Sequence, residues 1–276
     1  MPGEQDRIEL YPHEDEGIYL FCLARPCDLP SRNPQGLDVQ HPVRLWTTDD
    51  IMAIISTVSL EEFRGPQAEE RMKDLSWLGP RASRHEAVIE EFSSHTPVLP
   101  ARFGTIFSSL DRLGNLVARH RDTVSEFLDR MENKDEWSVK GLMDASRAKE
   151  KLSSFALSRE AERLSGLTPG MRYVQEQRIK NSLDNELRTW LRRESMKIWE
   201  GLKSRASESC ERKLSSHHPP GMEGDIVLNW AFLVSRDSVD EFHAYIDKLR
   251  PKYTEHGLRF YTSGPWPPYS FCPRLE

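Results

Sequence analysis

Apolar residues recur along this chain with two different periods. Gly17-Ile18-Tyr19-Leu20-Phe21-Cys22-Leu23 is an unbroken apolar run of β-branched and aromatic residues ahead of Pro26, which predicts a buried strand. Runs over 43–46 and 51–58 predict two more strands, the second short enough to fit a helix as well. Pro26, Pro30, Pro34 and Pro42 mark an extended loop before them. The period then changes. Ser83 and Glu86 stand three apart, as a capping box requires, with Val88, Ile89 and Phe92 supplying the apolar face of a helix behind them. Pro97 and Pro100 each disfavour helix in the residue before them and keep 97–106 extended. Leu110, Leu113, Val117, Val124, Phe127 and Met131 then recur at helical intervals, which predicts one longer helix after Ser108, ended at Asn133-Lys134-Asp135.

That polar break predicts domains over 1–134 and 135–276. A strand over 137–142 opens the second, followed by helical sequence broken at Gly166-Leu167-Thr168-Pro169-Gly170. One long amphipathic helix is expected over 171–214, with Ile179, Leu183, Leu187, Leu191, Ile198 and Leu202 inward, and Pro219-Pro220-Gly221 closes the connection. Unbroken, it would reach about 65 Å. A strand over 226–234 follows. Next comes a helix capped by Asp237 or Ser238, with Val239, Phe242, Ile246 and Leu249 on its buried face and Pro251 as its stop; a strand over 258–262 completes the order. The expected fold class is therefore α+β. It pairs an N-terminal modified ferredoxin-like sheet with helices and a C-terminal ferredoxin-like α+β domain that carries the long helix and an extended tail over 263–276.

Composition narrows the function. Of 276 residues, 37% are hydrophobic and 30% charged, enough for a core beneath a well-solvated surface, and the mean hydropathy is −0.64. No run approaches the roughly 20 apolar residues that cross a bilayer, so no membrane partner is expected. Residues 1–16 carry a net charge of −5, the reverse of a secretory leader, so a cytoplasmic protein is expected. The four cysteines are too dispersed for a disulfide framework. Cys22 sits in an apolar run and reads as core, and Cys22 and Cys27 lack a second ligand pair. Cys210 with His217-His218 falls in a Ser/Pro/Gly-rich linker without the paired spacing of a structural zinc site, so neither metal nor cofactor is expected. A net charge of −6 argues against a general nucleic-acid binder.

Known chemical motifs are absent: there is no phosphate loop, nucleophile elbow, HExxH or GxGxxG. His85 and Glu86 are adjacent and so diverge on a helix, while His243 and Asp247, four apart, read as a surface pair. Arg102-Phe103-Gly104-Thr105-Ile106-Phe107 partly matches an RNA-recognition strand, though a sheet strand with a glycine bend fits it better. The predicted long helix is locally basic, +4 over 171–213, with Arg188, Arg192 and Arg193 as its cluster. It reads as a solvated face with ion pairs such as Asp184 to Arg188, or as a docking surface for an acidic partner. In the tail Gly264-Pro265-Trp266-Pro267-Pro268-Tyr269-Ser270-Phe271 three prolines within four positions are expected to prevent sheet pairing and to set an extended, polyproline-like path. Its aromatic rings call for a groove, on this chain first or on a partner.

Three segments together resemble the gas vesicle protein F/L family: Arg84-His85-Glu86-Ala87-Val88-Ile89, Val98-Leu99-Pro100-Ala101-Arg102-Phe103-Gly104-Thr105-Ile106-Phe107, and the tail from Gly264 to Phe271. The resemblance spans nearly the full chain, and the tail is its most specific part. It implies two α+β domains, no catalysis, and a minor structural or assembly role in gas vesicles. The implied partners are the small hydrophobic shell protein and other accessory proteins. An interdomain surface is expected to cover the shell protein's apolar face or to nucleate the shell. The family positions carried over are Arg84, His85, Arg102, Phe103, Gly104, Gly264, Pro265, Trp266 and Pro268, with Pro267, Tyr269 and Phe271 completing the tail motif. Most are expected to be architectural, Arg84 by holding a carboxylate or carbonyl and Gly104 by allowing a bend. A nucleic-acid-binding ferredoxin-like module is the alternative, to be recognised by salt-sensitive retention on heparin or RNA.

Overall fold

In the computed structural model, residues 15–27, 35–38, 40–214 and 224–275 are described. Most of the acidic start, Pro30 and Pro34 of the proline-marked loop, His217-His218 and the Pro219-Pro220-Gly221 stop lie outside them. The chain forms two compact units. One comprises Met1–Asn133 together with Trp266–Glu276, the other Lys134–Pro265. The tail from Trp266 onward thus groups with the first unit, where the sequence placed it in the second domain.

The first unit is organised by β1, Glu16–Ala24, whose residues from Gly17 onward are buried. A strand covered on both faces has no need of polar alternation, which explains its continuous apolar run. It pairs antiparallel with β3 (Ile51–Ser59) on one side, and β2 (Arg44–Thr48) continues the sheet beyond β3. The segment that fitted helix or strand is therefore a strand. On its other side β1 pairs with β4 (Val98–Pro100) and β5 (Ile106–Phe107). Two short helices the sequence did not signal, α1 (Leu60–Phe63) and α2 (Pro66–Arg71), lead into α3, Leu75–Ser93.

α3 begins two turns before the predicted capping box, and Ser83 lies inside it. Its N-cap is Asp74, whose Oδ1 accepts from the Ser76 N–H at 2.9 Å and the Ser76 hydroxyl at 2.7 Å. Pro80 removes one hydrogen bond from this helix. The turn holds because the Trp77 ring packs on Phe63, and Arg81 stacks over Trp77 while pairing with Glu62 at 2.9 Å. The predicted single helix after Ser108 is two: α4 (Leu110–Arg119) and α5 (Arg121–Met131), separated by His120 at φ −110°. Of the predicted inward positions, Leu113, Val117, Val124, Phe127 and Met131 are buried and Leu110, at the start of α4, is half-buried. The break falls in the polar stretch from Arg119 to Asp122, where no apolar side chain ties the turn to the core.

The second unit holds an antiparallel sheet of four strands in the order β7-β8-β6-β9. In chain order these are β6 (Lys134–Met143), β7 (Glu208–Glu211), β8 (Asp225–Ser235) and β9 (Leu258–Trp266). Between β6 and β7 run α6 (Ala145–Arg159), α7 (Ala161–Ser165) and the 35-residue α8 (Pro169–Lys203); α9 (Val239–Thr254) precedes β9. Ile198 and Leu202 of α8 and Phe242, Ile246 and Tyr253 of α9 pack on Val139, Trp230 and Phe232 of the sheet.

α8 is shorter than the predicted 171–214 helix and spans about 52 Å. Beyond Lys203, Ser204, Ser207 and Ser209 interrupt the helix; serines compete for backbone hydrogen bonds and favour helix ends. The Ser207 N–H turns to the Leu233 carbonyl and starts β7. Pro251 does not stop α9 but lies inside its last turn, kept wound by buried Tyr253. The tail prolines do not exclude a strand either, since β9 continues through Pro265 to Trp266. β9 is an edge strand, the place in a sheet where proline is tolerated. Two expected pairs are replaced. Asp184 binds Lys149 at 2.5 Å and feels Arg188 only as a nearby charge. Asp247 binds Arg250 at 2.9 Å, while His243 sets its ring edge-on against Trp137 at 4.3 Å.

Candidate docking pocket

The first two motif segments meet through one buried hydrogen-bond chain. Val88, Ile89 and Phe92 fix the inward face of α3, and His85, one turn earlier, points the same way and is 4% exposed. Its Nε2 lies 3.2 Å from the Ala101 carbonyl, which can only accept, so Nε2 carries the proton. Nδ1 must then accept from the Tyr19 hydroxyl of β1, 2.9 Å away, and that hydroxyl accepts from the Gly104 N–H at 3.2 Å. Burial holds the His85 pKa down at about 4, so the ring is neutral near pH 7, in keeping with this tautomer. The same burial raises the Tyr19 pKa.

This chain pins the turn between β4 and β5. Gly104 has φ +81°, a conformation that costs other residues free energy. The Arg102 carbonyl accepts from the Thr105 N–H and hydroxyl at 3.1 and 2.7 Å. Phe103 sets its ring within 6.4 Å of Tyr19, Phe63 and His85. Arg102 through Phe107 is therefore a pinned turn ending in a two-residue strand, and Phe103 is packed rather than displayed on a sheet face for base stacking. Arg84, beside His85, donates to the Leu37 carbonyl at 3.0 Å and braces the loop before β2.

The tail completes the site. Pro267 and Pro268 are buried, and Tyr269–Phe271 form a single tight turn. Arg130 of α5 donates to the Phe271 carbonyl at 3.1 Å. Tyr269 lies near Glu86 and Glu90 of α3, and burial foremost raises its pKa. Together the segments surround a pocket of about 910 Å³. His85 and Glu86 line it from α3, and Leu99 to Phe103 with Thr105 line it from the turn. Leu20, Leu23, Phe107 and Leu116 form further apolar wall, and Tyr269 with Cys272 through Leu275 closes the remaining side.

Of the positions singled out by sequence, His85, Arg102, Phe103 and Tyr269 line this pocket. Arg84, Gly104, Pro267, Pro268 and Phe271 support it within the same unit. Gly264 and Pro265 belong to the second unit, where Gly264 has φ +139° and a Cβ there would come within 2.8 Å of the Glu136 carbonyl oxygen. Trp266, at the start of the tail, is 37% exposed. Arg188, Arg192 and Arg193 are exposed on α8, in the second unit. Sequence reading missed Tyr19 as the hub of the network, and Cys272 through Leu275 as wall. Tyr19 could not be told from the other members of a buried strand, since its partners are 66 and 85 residues away.

Both His85 nitrogens and the Tyr19 hydroxyl are engaged with protein groups. What the pocket offers is apolar wall with Glu86, Arg102 and Arg274 around it. Among the described residues no helix is long and apolar enough to cross a membrane, and no cluster of His, Cys, Asp and Glu is arranged to hold a metal ion.

Residues 17–273 match the family described as "Gas vesicle synthesis protein GvpL/GvpF". The chain is 28% identical over 263 residues to gas vesicle protein L of Streptomyces sp. (strain CB03234), covering 92% of each chain. It is also 28% identical over 262 residues to gas vesicle protein F of the same strain, covering 92% of this chain and 98% of that one. Its fold is similar to the crystal structure of GvpF from Anabaena sp. PCC7120, with TM-score 0.67 and 20% identity over 95% of this chain and 100% of that one. GvpF from Microcystis aeruginosa gives TM-score 0.59 and 17% identity, over 94% of this chain and 99% of that one.

Proposed function

Because this chain belongs to the gas vesicle synthesis protein GvpL/GvpF family, we propose that it serves gas vesicle formation as a minor structural or assembly protein that binds other vesicle proteins through the pocket of its first unit. The favoured partner is the small hydrophobic shell protein, with other accessory proteins beside it; the setting is the cytoplasm and the growing vesicle. The observation that carries this reading is convergence. Segments around residues 85, 102 and 269, far apart in sequence, surround one pocket, and a hydrogen-bond chain through His85, Tyr19 and Gly104 pins the turn that lines it.

A strongly hydrophobic subunit aggregates in water unless its apolar face is covered before it polymerises. Leu99, Phe107, Leu116 and Leu275 offer apolar wall of that kind. The surface assigned lies within the first unit alone, in place of the interdomain surface expected from the sequence. The second unit, with its sheet backed by α8 and α9, is read as a ferredoxin-like module. No catalytic step is assigned to either unit.

Co-expression with the shell protein tests the reading. Tagged wild-type chain retains the shell protein on a pull-down. Tyr269→Asp, which places a charge on the pocket wall, lowers retention about tenfold or more, and Trp266→Ala lowers it less, with circular dichroism unchanged in both. Capture of another vesicle accessory protein without the shell protein would replace direct cover by a scaffold role. Equal retention by folded Tyr269→Asp would remove the pocket from the interface.

A further inference from the structure

The second unit leaves a different surface unfilled. α6 contributes Lys151, Leu152, Phe155, Ala156 and Arg159 to a groove of about 490 Å³, and α8 contributes Asn185, Glu186, Thr189, Trp190 and Arg193. Both sets follow the spacing i, i+1, i+4, i+5, i+8, which is one face of a helix over two turns. Two neighbouring helices therefore present matched stripes to one groove, the shape that receives a third helix.

The floor is apolar where a monomer has no need of it. Phe155 is 66% exposed, a position at which a solvated helix would carry a polar residue. Beside it lie Leu152, Ala156 and Trp190, and the Trp190 ring is held by His256 stacked at 5.3 Å. The margin is positive. Lys151 and Arg159 stand at the two ends of the α6 stripe and Arg193 at the end of the α8 stripe, against one carboxylate, Glu186, which already accepts from the Ser182 hydroxyl at 2.7 Å. Lys151 is 3.9 Å from Glu255 and Arg193 is 3.1 Å from Glu194, whereas Arg159 has no ion pair among the described residues. This margin belongs to a chain whose net charge is −6. An apolar strip bracketed by cations complements an apolar strip bracketed by carboxylates.

We propose that the groove between α6 and α8 is a docking site for an acidic amphipathic helix of a partner protein, separate from the pocket of the first unit. The incoming helix lays apolar residues at i, i+3 and i+4 on Phe155, Leu152 and Trp190, and its Asp and Glu side chains meet Lys151, Arg159 and Arg193. This assignment stands on the second unit alone and does not depend on what the first unit binds.

The test uses the full chain and a fluorescein-labelled synthetic helix of about 20 residues with a leucine face and glutamate flanks, read by fluorescence anisotropy. A control peptide carries lysine in place of each glutamate. The acidic peptide binds and loses affinity as salt rises. Phe155→Ser and Arg159→Glu each weaken it about tenfold or more, and Arg159→Glu improves the lysine peptide relative to wild type. Both positions are exposed, so these variants keep the fold, which circular dichroism verifies. Equal binding of the two peptides by wild type, or unchanged binding by both variants, overturns the assignment. So does light scattering that shows the groove closed by a second copy, with Phe155→Ser releasing monomer. Sedimentation of the chain with phosphatidylserine vesicles, with no peptide binding, would overturn it in favour of a lipid surface.

Discussion

Replacing Arg212 by leucine lowers the stability of the second unit by about 3–5 kcal/mol, the usual result of stripping the cation from a buried carboxylate. Glu136 on β6 is fully buried, and Arg212, at the exit of β7, reaches in to pair with it while also donating to the Ser138 hydroxyl at 3.4 Å. In the variant the carboxylate stays in the sheet without this cation. The pair is a condition for folding rather than a net gain, because desolvating both charges offsets most of their attraction. The double variant Glu136→Gln/Arg212→Leu therefore recovers a large part of the loss. Urea denaturation followed by tryptophan fluorescence checks both statements, since Trp137 and Trp230 lie on the affected strands. A loss below about 1 kcal/mol in Arg212→Leu would show that Glu136 is satisfied without it.

His85→Ala costs the first unit about 3 kcal/mol near neutral pH, through the cavity it leaves and the partners it strands. The ring is stacked on Phe21 at 5.8 Å and edge-on to Tyr19 and Phe103, so its removal opens the middle of an aromatic cluster. The Tyr19 hydroxyl and the Ala101 carbonyl each lose a partner. The substitution also changes the dependence on pH. The folded pKa of about 4 lies below the ordinary 6.5, so the stability that neutral His85 contributes is present above pH 6.5. It is lost as pH falls toward 4, because the unfolded chain takes the proton first, at up to about 1.4 kcal/mol per pH unit. Wild type and His85→Ala therefore approach one another in stability between pH 6.5 and 4. Parallel curves across that window would mean that His85 is not held neutral by burial.

Much of the architecture was legible in the sequence because burial leaves a period. The run in β1 and the inward stripe of α8 needed no partner to be recognised, and most of those stripe positions are buried. What failed was punctuation. Ser83 had the right spacing for a cap, but Asp74 holds the true one; Pro251 and Pro265 looked like stops, yet Pro251 lies within the last turn of α9 and Pro265 within the edge strand β9. A stop signal acts through the backbone hydrogen bond it removes, and whether that bond matters depends on neighbours a local reading cannot see. The pocket was legible in its parts and not in its assembly. The sequence singled out His85, Phe103, Gly104 and Tyr269 by resemblance. That His85, Phe103 and Tyr269 line one pocket follows from a turn pinned by Tyr19 and from a tail returned to the first unit. The groove between α6 and α8 was half visible, since the basic stretch and its reading as an acidic partner's surface came from sequence. Phe155 on the facing helix was not visible.

Site-directed photo-crosslinking tests whether the shell protein sits in the pocket of the first unit, with p-benzoylphenylalanine at Arg102 on the pocket margin, or at exposed Asp122 on α5 as a control in the same unit. The chain is made together with the vesicle proteins and irradiated, and the adducts are identified by mass spectrometry. A shell-protein adduct from position 102 and none from position 122 is expected if the pocket of the first unit holds the shell protein. Shell-protein adducts from 122 and none from 102, in two variants that both fold, would contradict it and place the binding surface elsewhere on the molecule.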